Sequence, residues 1–577
     1  HCADRAAQAP PLSRNGVALT EAETSQYREN IVVPACVKAC PADALRFGER
    51  KEILLEAHSR ISSHPEKYVD HIYGEKEAGG TSVLYLSSVP FAKLGFPDVG
   101  NKPFPNYSKA ALGAVPPAVL AMGALLGATY VFFKRRITAV AGSHTGHVEF
   151  ETLPHKLLTP FNWLMLALIA FCGESLLARF VLGLGGSTHL SDTYPWGLWI
   201  VFDLVWIAVA AGAFATAGII YVFQRKDLYS MGRTAVLMGL LSYTFVTVTL
   251  IADLGLPWHF YQLGLQAPDH SAMFEVSWCV GLYVTVLLFE FLPVPFERWG
   301  LERPMALWRR WSGAYVAFAV TLFVYLLSRN LVYAALSAVL FSFLAWAFKS
   351  ADIKPEPIML AIAAVTLSTM HQSSLGSLFL LMPEQLAPQW WSPVMPVSFF
   401  LSSIAAGTAV IILIEMWIAK AWKRQLRITQ LEAMGRITFW ALLVYLVFRL
   451  GDMALRGQFV NAFSGRLGAL FAVEIILGGI LPLVLLSRIS ERSRSKVLFA
   501  GALLTALGVI FNRVNVVLLA MNLKGPMPQT APEPYSPTIF EWGISIGLIA
   551  AAIFLFGLGA RLMPLLPREE HNERFLP

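Results

Sequence analysis

About thirteen apolar stretches, each long enough to cross a bilayer, fill most of this 577-residue chain and restrict what it can fold into. A hydrocarbon layer roughly 30 Å thick is spanned by about 20 helical residues. Inside it every backbone N–H and C=O must be bonded within the segment, which selects helices for continuous apolar runs of this length. The runs predict spans at 113–133, 159–183, 196–223, 232–255, 273–295, 312–328, 331–348, 357–382, 394–419, 436–451, 466–487, 497–521 and 539–563. Arg329 and Asn330 interrupt the sixth and seventh. Only 14% of the residues are charged, against about a quarter in soluble domains. The expected fold is therefore an all-α polytopic membrane protein, with lipid as one partner. A net charge of +7 could point to nucleic acid. The basic residues instead fall in short loops between apolar runs, so no nucleic-acid partner is expected.

Those loops alternate in character. One set carries Lys134-Arg135-Arg136, Arg225-Lys226, Arg298, Arg303, Arg309 and Arg310, Lys349 and Lys354, Lys420 through Arg427, and Arg488 through Lys496. The other set is poor in Lys and Arg and rich in aromatics and Pro: Tyr194-Pro195-Trp196, Pro257-Trp258, Gln389-Trp390-Trp391 and Pro534-Tyr535. Basic loops stay in the cytoplasm and aromatic residues collect at the interfaces. The expected location is thus a bacterial inner membrane, with the aromatic loops and the N-terminal region periplasmic and the C-terminus cytoplasmic.

Residues 1–110 differ from the rest, being polar, rich in Pro and Gly, and holding three of the five cysteines, Cys2, Cys36 and Cys40. Five cysteines so scattered do not make a disulfide scaffold. Cys36-Val37-Lys38-Ala39-Cys40-Pro41 is a C-x3-C-P, a spacing and trailing Pro found in bacterial iron–sulfur motifs. Cys2 reads as the second member of a C-x2-C, and the chain starts at His1 without an initiator Met, so an upstream portion is expected. The expected layout is a short irregular ferredoxin-like remnant at 1–110, one membrane anchor at 111–136, a cytoplasmic linker at 137–158 and a large membrane domain at 159–577. The three cysteines are candidate metal ligands in an incomplete set: a 4Fe-4S cluster would need further thiolates from upstream or from another chain.

Charged side chains within a bilayer are costly, so each is a functional candidate. Glu174, Arg179, Asp203, Asp253, Glu275, His371, Arg449, Asp452, Glu474, Arg513 and Glu541 fall in the halves of their spans nearest the aromatic loops. Glu290 and Glu415 lie near the basic ends. The competing reading of any one of them is a structural ion pair. As a set gathered on one side, they suit reduction of a quinone, which is apolar, accepts two electrons and two protons, and needs hydrogen-bond and proton donors at its carbonyls. A transmembrane b haem needs two facing histidines, but His371 is the one mid-span histidine, with His189, His259 and His270 in loops. No haem is expected. Cys172 and Cys279, inside apolar spans, read as packing residues.

Several stretches carry a resemblance. They are Tyr194-Pro195-Trp196-Gly197-Leu198-Trp199-Ile200-Val201-Phe202-Asp203, Met273-Phe274-Glu275, Phe289-Glu290-Phe291, Met370-His371-Gln372-Ser373-Ser374, Phe448-Arg449-Leu450-Gly451, Asn512-Arg513 and Ser536-Pro537-Thr538-Ile539-Phe540-Glu541. Residues 159–563 resemble the NrfD/polysulfide-reductase superfamily, most closely the HybB-type membrane subunits of quinone-reducing nickel–iron hydrogenases. Residues 1–5, 34–45 and 83–97 resemble the end of HybA-like ferredoxin subunits. In that family the spacing between Cys2 and Cys36 is shorter, and more cluster cysteines are present. The segment 312–348 resembles an inserted helix pair.

The resemblance implies a subunit that holds no redox centre in its membrane domain and binds menaquinone or ubiquinone near a ferredoxin-type iron–sulfur subunit. Transferred by motif, Glu275 is the proton-handling carboxylate, with Asp203 and His371 next for quinone contact or proton relay. Asp253, Arg449, Glu474, Arg513 and Glu541 are candidates for the quinone pocket. The implied reaction passes electrons from a periplasmic hydrogenase, with its large and small subunits, through iron–sulfur clusters to quinone, with proton translocation as a further possibility. Two alternatives stand beside it: the same module serving a molybdenum enzyme or a multihaem cytochrome complex, and an ion-translocating protein without redox work. The topology is testable with alkaline phosphatase fusions. A fusion after Tyr194 should be active and one after Lys226 inactive, and the reverse pattern would overturn the orientation.

Overall fold

The computed structural model describes residues 13–14, 17–18, 34–42, 44–140, 148–153, 156, 159–191, 194–265, 271–350, 355–383, 385–460, 462–488, 494–521 and 535–568. The chain divides into two compact units, one of His1–Asn106 with Lys524–Ala531 and one of Tyr107–Leu523 with Pro532–Pro577.

In the first unit, helix α1 (Arg50–Ser63) buries Ala57 and Ile61 against Ile72, with Leu54, Tyr68, Leu84 and Leu86 around them. Arg50 fastens the helix to the following loop, donating to the carbonyls of Thr81 at 2.8 Å, Glu75 at 3.0 Å and Gly74 at 3.2 Å. Tyr73, Tyr85, Phe91 and Phe96 stack edge to face nearby. So small a core depends on these directed contacts. Cys36 is exposed and Cys40 half-buried, and the Ala44 amide donates to the Cys40 sulfur at 3.3 Å. Cys2 lies outside the described residues.

The second unit has thirteen helices long and apolar enough to cross a membrane, among the described residues. They are α2 (Val115–Val140), α3 (Pro160–Ser187), α4 (Leu198–Ala217), α5 (Gly232–Asp253), α6 (Ala272–Phe291), α7 (Glu302–Ser328), α8 (Leu331–Ser350), α9 (Pro355–Leu380), α10 (Met395–Ala421), α11 (Ile428–Leu455), α12 (Gly465–Ser487), α13 (Arg494–Val514) and α14 (Ile539–Leu562). All thirteen expected spans are present. The largest difference is at α7, which starts at Glu302 rather than at 312, because a helix can carry Arg303, Arg309 and Arg310 past the apolar layer. Arg329, in a left-handed conformation with φ of 48°, ends α7 and turns the chain into α8. α12 contains a π-helical turn at Ile476–Ile480, and α4 and α13 run on into π-helical turns at Gly218–Val222 and Asn515–Leu519.

Without a strong hydrophobic drive between helices in lipid, association depends on close packing and small residues. α4 and α10 touch backbone to backbone at Gly212 and Gly407, where any Cβ on one would collide with the main chain of the other. Gly478 of α12 and Gly508 of α13 make the same kind of contact. α14 closes onto α3 through Gly543 against Ser175 and Gly547 against Cys172. At the basic end, the strand Phe150–Glu151 pairs antiparallel with Leu566–Pro567, tying the segment before α3 to the segment after α14. Gly407→Leu should therefore cost about 3 kcal/mol or more, at the upper end of typical overpacking penalties. The expected reading is a loss of monodisperse protein in detergent, whereas Gly451→Ala, at a glycine with open space around it, should leave the yield unchanged.

Candidate functional site

The candidate residues sort into three groups at the aromatic-loop end of the helices. The first surrounds Glu275. Ser271 caps α6, its hydroxyl accepting from the Phe274 amide, and so fixes Glu275 in the first turn. Glu275 is fully buried, beside Ser374 of α9, and neither of its carboxyl oxygens has a hydrogen-bond partner. Cys279 and Tyr283 follow at one and two turns along the same face of α6 and are also fully buried.

His371, one turn before Ser374 on α9, is fully buried. Its Nδ1 lies 3.1 Å from the Tyr243 hydroxyl, while Nε2 and the Tyr283 hydroxyl have no partner. The Tyr243 and Tyr283 rings are 4.2 Å apart, and Phe214 lies 4.1 Å from Tyr283. Buried polar atoms normally find partners. Here four of them, on Glu275 and Tyr283 of α6 and His371 of α9, are unsatisfied.

The second group is at the junction of α3, α4, α5 and α14. Glu541 forms a capping box with Thr538 and accepts from the Tyr535 hydroxyl and, at 3.4 Å, from the His189 amide. Tyr535 also accepts from the Leu198 amide at 2.7 Å, so one phenol links the starts of α4 and α14. Burial, together with the hydrogen bond to Glu541, pushes the Tyr535 phenol well above its ordinary pKa, so it stays protonated and donates. Asp253 is within electrostatic reach of Asp203, Arg179 and Glu541. Arg179 spends its donors on the carbonyls of Ala252 and Leu254. Neither oxygen of Asp203 has a partner.

The third group belongs to α10, α11, α12 and α13. Arg449 pairs with Glu474 at 2.6 Å. Glu474 also accepts from Trp390 Nε1 and Asn512 Nδ2, both at 2.8 Å, and from Asn515 Nδ2 at 2.7 Å. The π turns begin two residues after Glu474, at Ile476, and at Asn515 itself, and such extra-residue turns re-aim side chains. Arg513 reaches Asn512 Oδ1 and the Ser402 hydroxyl.

Glu174, on α3, is exposed and joins none of these groups. Asp452 pairs with Arg456. At the basic end, Glu415 accepts from the Thr234 hydroxyl at 2.8 Å, and both Glu290 oxygens are buried without a partner. His189 bonds the Ser536 carbonyl, and His270 is outside the described residues. Sequence reasoning missed Tyr243, Tyr283, Asn515, Ser402 and Tyr445, whose hydroxyl accepts from Arg449. Tyr283 was findable, because Glu275, Cys279 and Tyr283 recur at helical spacing. The others are apolar-context residues made functional by which helix faces them.

Two redox groups can be tested against these residues. A bis-histidine haem does not fit, since the spans hold a single histidine, engaged with Tyr243. A four-cysteine cluster does not fit this chain's own thiols either, because Cys172 and Cys279 are buried inside the membrane unit. Among the described residues, no group of three or more Cys, His, Asp or Glu side chains is placed to hold a metal.

The sequence of residues 186–523, more than half of the chain, matches the family model described as polysulphide reductase, NrfD. A probable Ni/Fe-hydrogenase 2 b-type cytochrome subunit of Escherichia coli is 29% identical over 419 residues, covering 70% of this chain and 92% of that protein. The integral membrane subunit of a menaquinone reductase from Nitratidesulfovibrio vulgaris is 27% identical over 437 residues, covering 72% of this chain and 94% of that protein. A shorter match, 38% identical over 86 residues, covers 11% of this chain and 26% of the hydrogenase-2 operon protein HybA of Escherichia coli O157:H7.

Because Glu474 is the shared acceptor of Arg449, Trp390, Asn512 and Asn515, Glu474→Ala should be severe. Leaving a buried charge unpaired costs about 3–5 kcal/mol, measurable as early loss of helical signal on heating, with Glu474→Gln milder. The family model and the number of spans agree: the chain belongs to the NrfD family of polytopic membrane subunits of respiratory oxidoreductases.

Proposed function

We propose that the chain is a quinone-reactive subunit, passing electrons from a periplasmic nickel–iron hydrogenase, by way of iron–sulfur carriers, to menaquinone or ubiquinone. The observation that carries this reading is the set of unpartnered buried polar atoms between α6 and α9, on Glu275, Tyr283 and His371. Quinone plus two electrons and two protons gives quinol. A quinone head brings two carbonyl acceptors and, once reduced, two hydroxyl donors, which match a site holding both donors and a carboxyl group.

With the Tyr243 hydroxyl donating to His371 Nδ1, the Nε2 atom carries a proton and can donate it to a quinone carbonyl. Glu275 supplies the other proton and reloads from the aromatic-loop side, where Asp203, Asp253 and Glu541 form an acidic relay. Glu290, farther along α6, offers a route from the basic end and so a means of coupling the reaction to proton movement. The names of the hydrogenase and menaquinone reductase relatives support quinone as substrate and a hydrogenase as donor. The menaquinone reductase relative also favours a second reading, in which the same module takes electrons from another periplasmic oxidoreductase, such as a molybdenum enzyme or a multihaem cytochrome.

Membranes carrying the complete complex provide the test. Glu275→Gln should lower hydrogen-dependent quinone reduction about 100-fold, a typical contribution of a positioned acid, while hydrogen oxidation with a soluble dye persists. Wild-type membranes without hydrogen-dependent activity would reject the hydrogenase partner. Survival of both activities in the variant would reject Glu275 as the proton donor.

A further inference from the structure

The third group holds more positive charge than it neutralises. Arg449, Arg456 and Arg513 line a small cleft, together with Trp390, Phe399 and Ser398. Asp452 is matched to Arg456 at 2.9 Å, and Glu474 is matched to Arg449 at 2.6 Å. Arg513 is left without a carboxylate of its own. It is 1% exposed, donates to two neutral oxygens, on Asn512 and Ser402, and sits 3.8 Å above the Phe399 ring. Its Nε atom, and Nη2 of Arg449, are buried without a hydrogen-bond partner. A buried guanidinium with idle donors beside an open cleft is stable only if something anionic completes it.

We propose that this cleft binds a phosphate group through Arg513 and Arg449. Guanidinium forks match phosphate oxygens in shape and charge. The cleft lies where α10 begins and where α11 and α13 end, the depth at which lipid headgroups meet the aromatic loops. Its apolar wall of Met395, Phe399, Met453 and Val516 suits the glycerol and upper acyl region of a phospholipid. A free phosphate ion would use the same donors. The proposal is independent of the quinone reading, which uses residues of α4, α5, α6, α9 and α14.

The test uses the full chain purified in detergent and stripped of lipid. Native mass spectrometry would compare dioleoyl phosphatidylglycerol with dioleoylglycerol, which has the same chains and no phosphate, and thermal unfolding would be followed with inorganic phosphate. Preferential retention of phosphatidylglycerol, not displaced by phosphate, identifies a lipid headgroup. Stabilisation by inorganic phosphate without lipid retention identifies a free anion. In either case Arg513→Gln should weaken binding at least tenfold. Ser398→Glu should do the same while leaving Arg513 in place, because it supplies a carboxylate at the cleft wall; it guards against a variant that fails by unfolding. The proposal is overturned if neither phosphate compound binds the wild-type chain better than dioleoylglycerol, or if Ser398→Glu, eluting as a monodisperse species, binds as the wild type does.

Discussion

The expense of an unsatisfied polar group in a bilayer governs the molecule. In lipid an orphaned donor or acceptor has no water to fall back on, so the bundle must provide each one with a partner or keep it for a ligand. Most ionisable side chains of the membrane unit follow the first course. Glu474 is saturated by four donors, Glu541 by a capping box and a phenol, and Arg179 by two carbonyls at the end of α5. Against that background the exceptions stand out. Glu275, Asp203, Glu290, the Tyr283 hydroxyl, His371 Nε2, Arg513 Nε and Arg449 Nη2 are among the groups with no partner.

The same constraint explains the glycines. Helices that hold buried charges cannot be spread apart without admitting lipid to those charges. The backbone contacts at Gly212–Gly407 and Gly478–Gly508 keep α4 against α10 and α12 against α13, and these helices carry Asp203, Ser402, Glu474 and Arg513. Packing and electrostatics are thus one device: the small residues keep the low-dielectric interior shut, and the interior makes the pairing of Arg449 with Glu474 worth forming.

The fold was legible because its dominant signal, long apolar runs between alternating loops, is written in composition and order. The ten-residue shift at α7 marks the limit of that signal, since hydropathy stops at Arg309 and Arg310 while backbone hydrogen bonding continues. The site was legible in its ionisable members, because a charge within an apolar run declares itself. Tyr243, Tyr283 and Ser402 are ordinary in any span and acquire significance only from the helix opposite. The separation of Glu275 and His371 from Arg449 and Arg513 was equally hidden, because depth along a helix can be counted in residues but azimuth around a bundle cannot.

The membrane unit is also fastened at both of its surfaces by its last segment. Tyr535 and Glu541 lock onto Leu198 and His189 at one end, while Leu566–Pro567 pairs with Phe150–Glu151 at the other. Between them α14 lies along α3. A ribosome delivers α3 hundreds of residues before α14, so twelve spans enter the membrane while α3 still exposes the face that α14 will cover. The acidic junction around Asp203 and Asp253 is completed only when α14 brings Glu541 to it. Closure of the bundle therefore waits on α14, and a nascent chain stalled before it has its earlier spans in place without a finished acidic junction.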